Sequence, residues 1–174
     1  MNNDDTKSIL IIDDDVVIRK LLNYHLKLNH YTVLEAVGPS YAFEILKKNK
    51  IDLVLCDVGM DEMNGFDFCK KVREDENFRV LPFVFVTAKS SMEDKSLALE
   101  AGGDDIITKP FDVNELLLKV QALIRRTEIY KIYGVKKKLE QSFSQNTAKI
   151  LLVDDDQSLA KLFQYNLNIH HIKD

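Results

Sequence analysis

Cysteine occurs only twice, at Cys56 and Cys69, and neither has a paired histidine or cysteine nearby. That argues against a disulfide scaffold and a thiolate metal site, and leaves two reduced, inert thiols in apolar surroundings. No apolar run approaches the roughly 20 residues needed to span a bilayer. The opening residues, MNNDDTKS, are polar and acidic, unlike a secretory signal. These features predict a cytoplasmic protein without a membrane partner. There is no surplus of positive charge either: 24 Lys and Arg stand against 28 Asp and Glu, a net charge of −4. Nucleic-acid binding through bulk charge is therefore not expected of this region. The 174 residues, 45% hydrophobic and 30% charged, suit one globular domain with a remainder.

Apolar runs alternate with amphipathic stretches along most of the chain. Residues 8–12 (SILII) suit a strand buried on both faces. Asp15 can cap a helix with apolar positions Val17, Leu21, Leu22, Leu26 and Leu28. Residues 31–36 read as a second strand, and Pro39 suits the first turn of a helix reaching about Asn49. A third strand, 51–56, leads through a loop to Gly65 and a helix ending near Glu74. Strand four spans 81–86, with Pro82 near its start, and a helix follows from about Ser91 to the Gly102-Gly103 stop. Strand five is 105–108, before a helix over 112–126 with Val113, Leu116, Leu117, Val120, Leu123 and Ile124 inward. That helix extends past Arg126 in a roughly helical pattern. Five βα units predict an α/β domain, a parallel sheet with helices on both faces. Its functional residues should lie just past the carboxyl ends of the strands.

The strand ends carry a coherent set. Asp13, Asp14 and Asp15 follow strand one, Asp57 strand three, Thr87 strand four and Lys109 strand five. Carboxylates sharing one cleft repel unless a cation sits among them. Oxygen-only ligands suit a hard ion, and magnesium (Mg2+) takes one or two carboxylates plus water and phosphate oxygens. A metal-bound Asp57 would be a nucleophile toward a phosphoryl group. That transfer needs mainly positioning and neutralisation of oxygens, tasks that suit magnesium, the Lys109 ammonium and the Thr87 hydroxyl.

The segments IIDDD, LVLCDVGMDEMNGF, FVFVTA and ITKPF together resemble the receiver domain of two-component response regulators, over about residues 7–126. The resemblance implies a flavodoxin-like five-stranded sheet of order 2-1-3-4-5. It implies Asp57 as phosphoacceptor, with magnesium held by Asp14, Asp57 and the Gly59 carbonyl and supported by Asp13. Thr87 and Lys109 would be the switch and catalytic pair, and Lys109–Pro110 a cis bond. The implied partner is a histidine kinase or histidine phosphotransfer protein. The chain would then be a regulatory phosphoacceptor with weak self-phosphorylation and autodephosphorylation rather than a dedicated enzyme. Three departures stand out. Asp61 replaces a frequent proline, Ile106 replaces a frequent Tyr or Phe, and Gly59 and Lys89 leave the lifetime of the phosphorylated state open.

Other classes fit less well. An aspartyl phosphohydrolase would resemble a D-x-D pattern, but the second position here is Gly59. A flavin binder needs a phosphate loop after strand one, where three aspartates would repel phosphate. An interaction module not regulated by phosphate leaves the acidic, Thr and Lys set without a task.

Residues 149–171 repeat 8–30 without gaps, with identity at ten of 23 positions, including all three acids. The expected organisation is a receiver domain over 1–126, an extended helix and linker over 127–147, and the first strand and helix of a second receiver over 148–174. Two ways of covering that last segment are open: exchange between chains in a homodimer, or packing on the extended fifth helix.

Overall fold

In the computed structural model, which describes residues 6–132, strands and helices alternate in five βα units. They are β1 (Ser8–Ile12), α1 (Val16–Leu28), β2 (Thr32–Ala36), α2 (Pro39–Lys48), β3 (Leu53–Cys56), α3 (Gly65–Glu74), β4 (Phe83–Thr87), α4 (Met92–Glu100), β5 (Asp105–Thr108) and α5 (Val113–Ile132). The chain divides into two units, Met1–Glu128 and Ile129–Asp174. The expected linker and repeated segment lie outside the described residues.

The five strands form one parallel sheet in the order β2-β1-β3-β4-β5. Alternation along each strand feeds two separate cores. Ile9, Ile11, Leu53, Leu55, Val84 and Val86 pack with Leu22 and Leu26 of α1 and with Leu116, Val120, Leu123 and Ile124 of α5. Leu10, Ile12, Val54, Cys56, Phe83 and Phe85 face the other way, toward α2, α3 and α4. Burial on both faces is why these strands read as unbroken apolar runs.

Helix starts follow local capping chemistry. The Asp15 carboxylate accepts from the amides of Val17 (2.7 Å) and Ile18 (3.4 Å). Asn64 accepts from the Asp67 amide, and Ser91 and Asp94 form a reciprocal capping box. The inward face of α1 matches the predicted one only in part. Leu22 and Leu26 are buried and Ile18 packs beside them, whereas Val17, Leu21 and Leu28 are exposed. Leucine and valine occur on both sides of this helix, so composition alone picks too broad a stripe. Several strand limits shift too: β2 begins at Thr32, β3 at Leu53 and β4 at Phe83, and β4 runs to Thr87, which is its last residue rather than the one after it.

At the amino ends of β4 and β5, Arg73 joins several elements. Its guanidinium donates to the carbonyls of Gly102 (2.8 Å), Phe78 (3.2 Å) and Leu81 (2.7 Å), and to Asp104 (3.1 Å). Asp104 also accepts from the Phe83 amide at 3.0 Å and from Arg126 of α5. Gly102, at φ +85°, turns the chain in the left-handed region beside this cluster.

Candidate active site at the strand carboxyl ends

Sheet register decides which side chains meet. Ile12 pairs with Cys56, so Asp13 and Asp57 leave adjacent central strands side by side. The Asp57 amide donates to the Ile12 carbonyl at 2.8 Å, and the Asp13 amide to the Ala36 carbonyl at 3.2 Å. Thr87 pairs with Thr108, and the Lys109 amide donates to the Thr87 carbonyl at 2.8 Å. Lys109 therefore enters the site from the β5 end, past the carboxyl end of β4. The Lys109–Pro110 bond is cis.

The Lys109 ammonium lies between the two acids, 2.7 Å from Asp13 Oδ2 and 2.9 Å from Asp57 Oδ1. Both carboxylates are buried, their side chains only 2% and 10% exposed. Each second oxygen is also held: Asp13 Oδ1 by the Asp15 amide at 2.8 Å, Asp57 Oδ2 by the Gly59 amide at 2.6 Å. Burial pushes the Asp13 carboxyl above the usual range, against the pull of Lys109 and the Asp15 amide. Burial alone would lower the Lys109 ammonium, but its bonds to Asp13 and Asp57 win and raise it. The site carries its own counter-ion.

Asp14 and Thr87 stand at the edge of this triad. Asp14 is exposed and makes no hydrogen bond or ion pair with the described residues. Thr87 is buried, and its hydroxyl oxygen accepts from the Lys89 amide at 3.2 Å, which leaves the hydroxyl proton available to donate elsewhere. Its side chain makes no bond to Asp57 or Lys109. Ile106 is half-buried and packs against the α2–α4 core.

Among the described residues no group of three His, Cys, Asp or Glu stands in metal-holding geometry. Lys109 occupies the space between Asp13 and Asp57, and Asp14 remains at the surface. The donor chemistry nonetheless fits a hard cation. Magnesium asks for one or two carboxylates and completes its shell with carbonyl and water oxygens. Asp14, with no bond to other described residues, and Asp57, with Gly59 beside it, meet that demand.

Four contributions were not legible from strand ends. Gly65, the first residue of α3, packs so closely that a Cβ there would come 2.2 Å from the Asp57 carbonyl oxygen. A glycine opening a helix, where it is otherwise unfavourable, was the available signal. Glu62 reaches from the loop after Asp57 to the hydroxyl of Ser40 and, at 3.4 Å, to its amide, supplying the cap that Gly38 cannot give α2. The Lys89 amide fixes the Thr87 oxygen. Arg19 donates to the Asp13 carbonyl at 2.6 Å and lies 3.6 Å from Glu35. The Glu62–Ser40 contact spans 22 residues, and no local pattern marks it.

Comparison with known proteins agrees with this geometry. Residues 9–121 match the family model described as the response regulator receiver domain. The transcriptional regulator RpaA of Synechocystis is 38% identical over 120 residues, 69% of this chain and 50% of that protein. The heme response regulator HssR of Staphylococcus haemolyticus is 40% identical over 121 residues, 69% of this chain and 52% of that one. The chain thus spans about half the length of these curated relatives. A probable transcriptional regulator, ycf29 of Cyanophora paradoxa, is 32% identical over 89% of this chain and 75% of its own length. Among solved structures, a two-component response regulator from Clostridium difficile superposes with TM-score 0.66 at 30% identity, covering 70% of this chain and 98% of that one. The chemotaxis protein CheY4 of Vibrio cholerae gives 0.66 at 29%, covering 68% and 98%. The chain belongs to the response regulator receiver domain family, the phosphate-accepting switches of two-component signalling.

Proposed function

We propose that Asp57 is the residue that takes the phosphoryl group, from a phosphohistidine of a histidine kinase or histidine phosphotransfer protein. The observation that carries this reading is the Lys109 ammonium held 2.9 Å from a buried Asp57 carboxylate and 2.7 Å from Asp13. An Asp57 oxygen attacks phosphorus, the P–N bond to imidazole breaks, and the released imidazole recovers a proton from solvent. The product is an acyl phosphate on Asp57.

The chain's own groups account for the positioning. The Gly59 amide holds one Asp57 oxygen at 2.6 Å, which orients the other toward the incoming group. Lys109 is placed to follow the charge onto the phosphoryl oxygens. The Thr87 hydroxyl, its oxygen already engaged by an amide, can donate to another of them. Asp14, Asp57 and the Gly59 carbonyl would hold magnesium, with Asp13 supporting from outside the first ring of ligands. When bound, magnesium supplies neutralisation of phosphoryl-oxygen charge.

Weak self-phosphorylation from small donors and slow autodephosphorylation belong to the same reading. So does a second receiver beginning at about residue 148, and with it the choice between a homodimer and packing on α5. Because the matched region is about half of these relatives, the output is left to regions other than residues 9–121. The decisive test is intact mass after incubation with magnesium and acetyl phosphate. A gain of one phosphoryl group, lost in Asp57→Asn, supports the assignment. A gain that survives Asp57→Asn refutes it.

A further inference from the structure

We infer that Arg19 is a positioning residue for the acidic site, holding the Asp13–Asp14 peptide so that Asp14 is presented to a divalent cation. The inference rests on the magnesium site proposed above. Asp14 has no side-chain partner among the described residues, so its place is set by its backbone alone. The residue that precedes it is fixed at several points. The Asp13 carbonyl accepts from Arg19 Nη1 at 2.6 Å, the Asp13 amide donates to Ala36 at 3.2 Å, and the Asp13 carboxylate accepts from the Asp15 amide at 2.8 Å. Of these, only the first comes from a side chain dedicated to it.

Arg19 is itself held. Its side chain is 12% exposed, its Nε lies 3.6 Å from Glu35 Oε2, and the other Glu35 oxygen accepts from the Asn23 side-chain amide. A planar guanidinium can serve a carbonyl and a carboxylate together, which an ammonium on a flexible stem cannot do with the same geometry. Glu35 also balances the charge of Arg19. Removing Arg19 takes away a positive charge and leaves Glu35 unpaired, which by itself would favour a cation, so the weaker binding expected here reports lost geometry.

The repeated segment sharpens the contrast. It keeps the three acids as Asp154, Asp155 and Asp156, but the position matching Arg19 is Ala160. Acids of this kind are thus present in this chain both with and without the arginine.

The experiment titrates magnesium chloride into the full chain, following melting temperature and the backbone amide signals of Asp14 and Asp15. Arg19→Ala is expected to raise the magnesium Kd about tenfold, the scale of lost outer-sphere support for metal ligands. Arg19→Lys should fall between it and the native chain. Without metal, the signals that move should be those of residues 13–15 and of the surroundings of Arg19, Asn23 and Glu35, and not those of α3 and α4 on the opposite face of the sheet. A native chain with no magnesium response would overturn the site itself. A native response matched within roughly twofold by both variants would leave the site standing and overturn the role of Arg19. If Arg19→Ala does not fold, Arg19→Lys decides by the same threshold.

Discussion

A side-chain carbon on Gly65 would lie 2.2 Å from the carbonyl oxygen of Asp57 and 2.9 Å from the Cα of Val58. Both neighbours are backbone, which cannot swing aside as a flexible side chain does. The first turn of α3 is thereby seated directly on the loop that carries the phosphoacceptor candidate. In an unobstructed helix, alanine would be favoured over glycine by about 1 kcal/mol. Here Gly65→Ala is expected to cost about 1–3 kcal/mol, the scale of overpacking, and to slow phosphorylation at Asp57. Urea unfolding of the two proteins checks it, and equal or greater stability of the variant would contradict the close approach.

Lys109→Ala should destabilise the metal-free protein by about 3 kcal/mol, because it strands two buried carboxylates without a cation. Magnesium should recover part of that loss, so its effect on melting temperature should be larger in the variant than in the native chain. Phosphorylation should fall in the same variant. Melting curves with and without magnesium decide this, and identical increments in both proteins would show that Lys109 does not neutralise the acids.

Glu62 ties the loop after Asp57 to the start of α2 through Ser40. Both residues are exposed, so Glu62→Ala is expected to change global stability by less than about 1 kcal/mol. Its effect should be local, with faster hydrogen exchange across 58–64 and at the first amides of α2. Unchanged exchange in both places would mean that the tether does not hold the loop. This contact also restrains the loop where Asp61 replaces a frequent proline, through a side chain one residue on.

Burial pushes the Cys69 thiol up to about 11, and Cys56, wholly enclosed, is raised as well. The folded value for Cys69 exceeds the unfolded one of 9.0. Its contribution to stability is therefore full below pH 9.0 and is lost as pH rises through about 11. At pH 8 neither thiol of the native chain should react with iodoacetamide, and both should react in denaturant. Rapid labelling of the folded protein would contradict the burial.

The sheet was legible because its strands are buried on both faces, so that SILII and LVLC stand out against polar surroundings. The acids and Lys109 were legible because a parallel sheet gathers strand ends into one place. The state of the site was not. The spacing of Asp13 and Asp57 suggests repulsion in the absence of metal, whereas Lys109 already lies between them. That contact spans 96 residues for Asp13 and 52 for Asp57, distances over which local pattern carries no register. The inward face of α1 was only partly legible, for a different reason. Val17, Leu21 and Leu28 are as apolar as the leucines that are buried, and only the position of β2 and α5 decides between them.

Arg73 gathers three carbonyls and Asp104 at the amino ends of β4 and β5, as far from Asp57 as the strands are long. One rim of the sheet is therefore a clasp and the other a workplace. Because α3, α4 and α5 are fastened at the clasp, the loops at the working rim need not also hold the helices in register. They can exchange residues, as Asp61 for a proline, without putting the architecture at risk. The variation that distinguishes one such switch from another has a place to accumulate, and the fold beneath it stays the same.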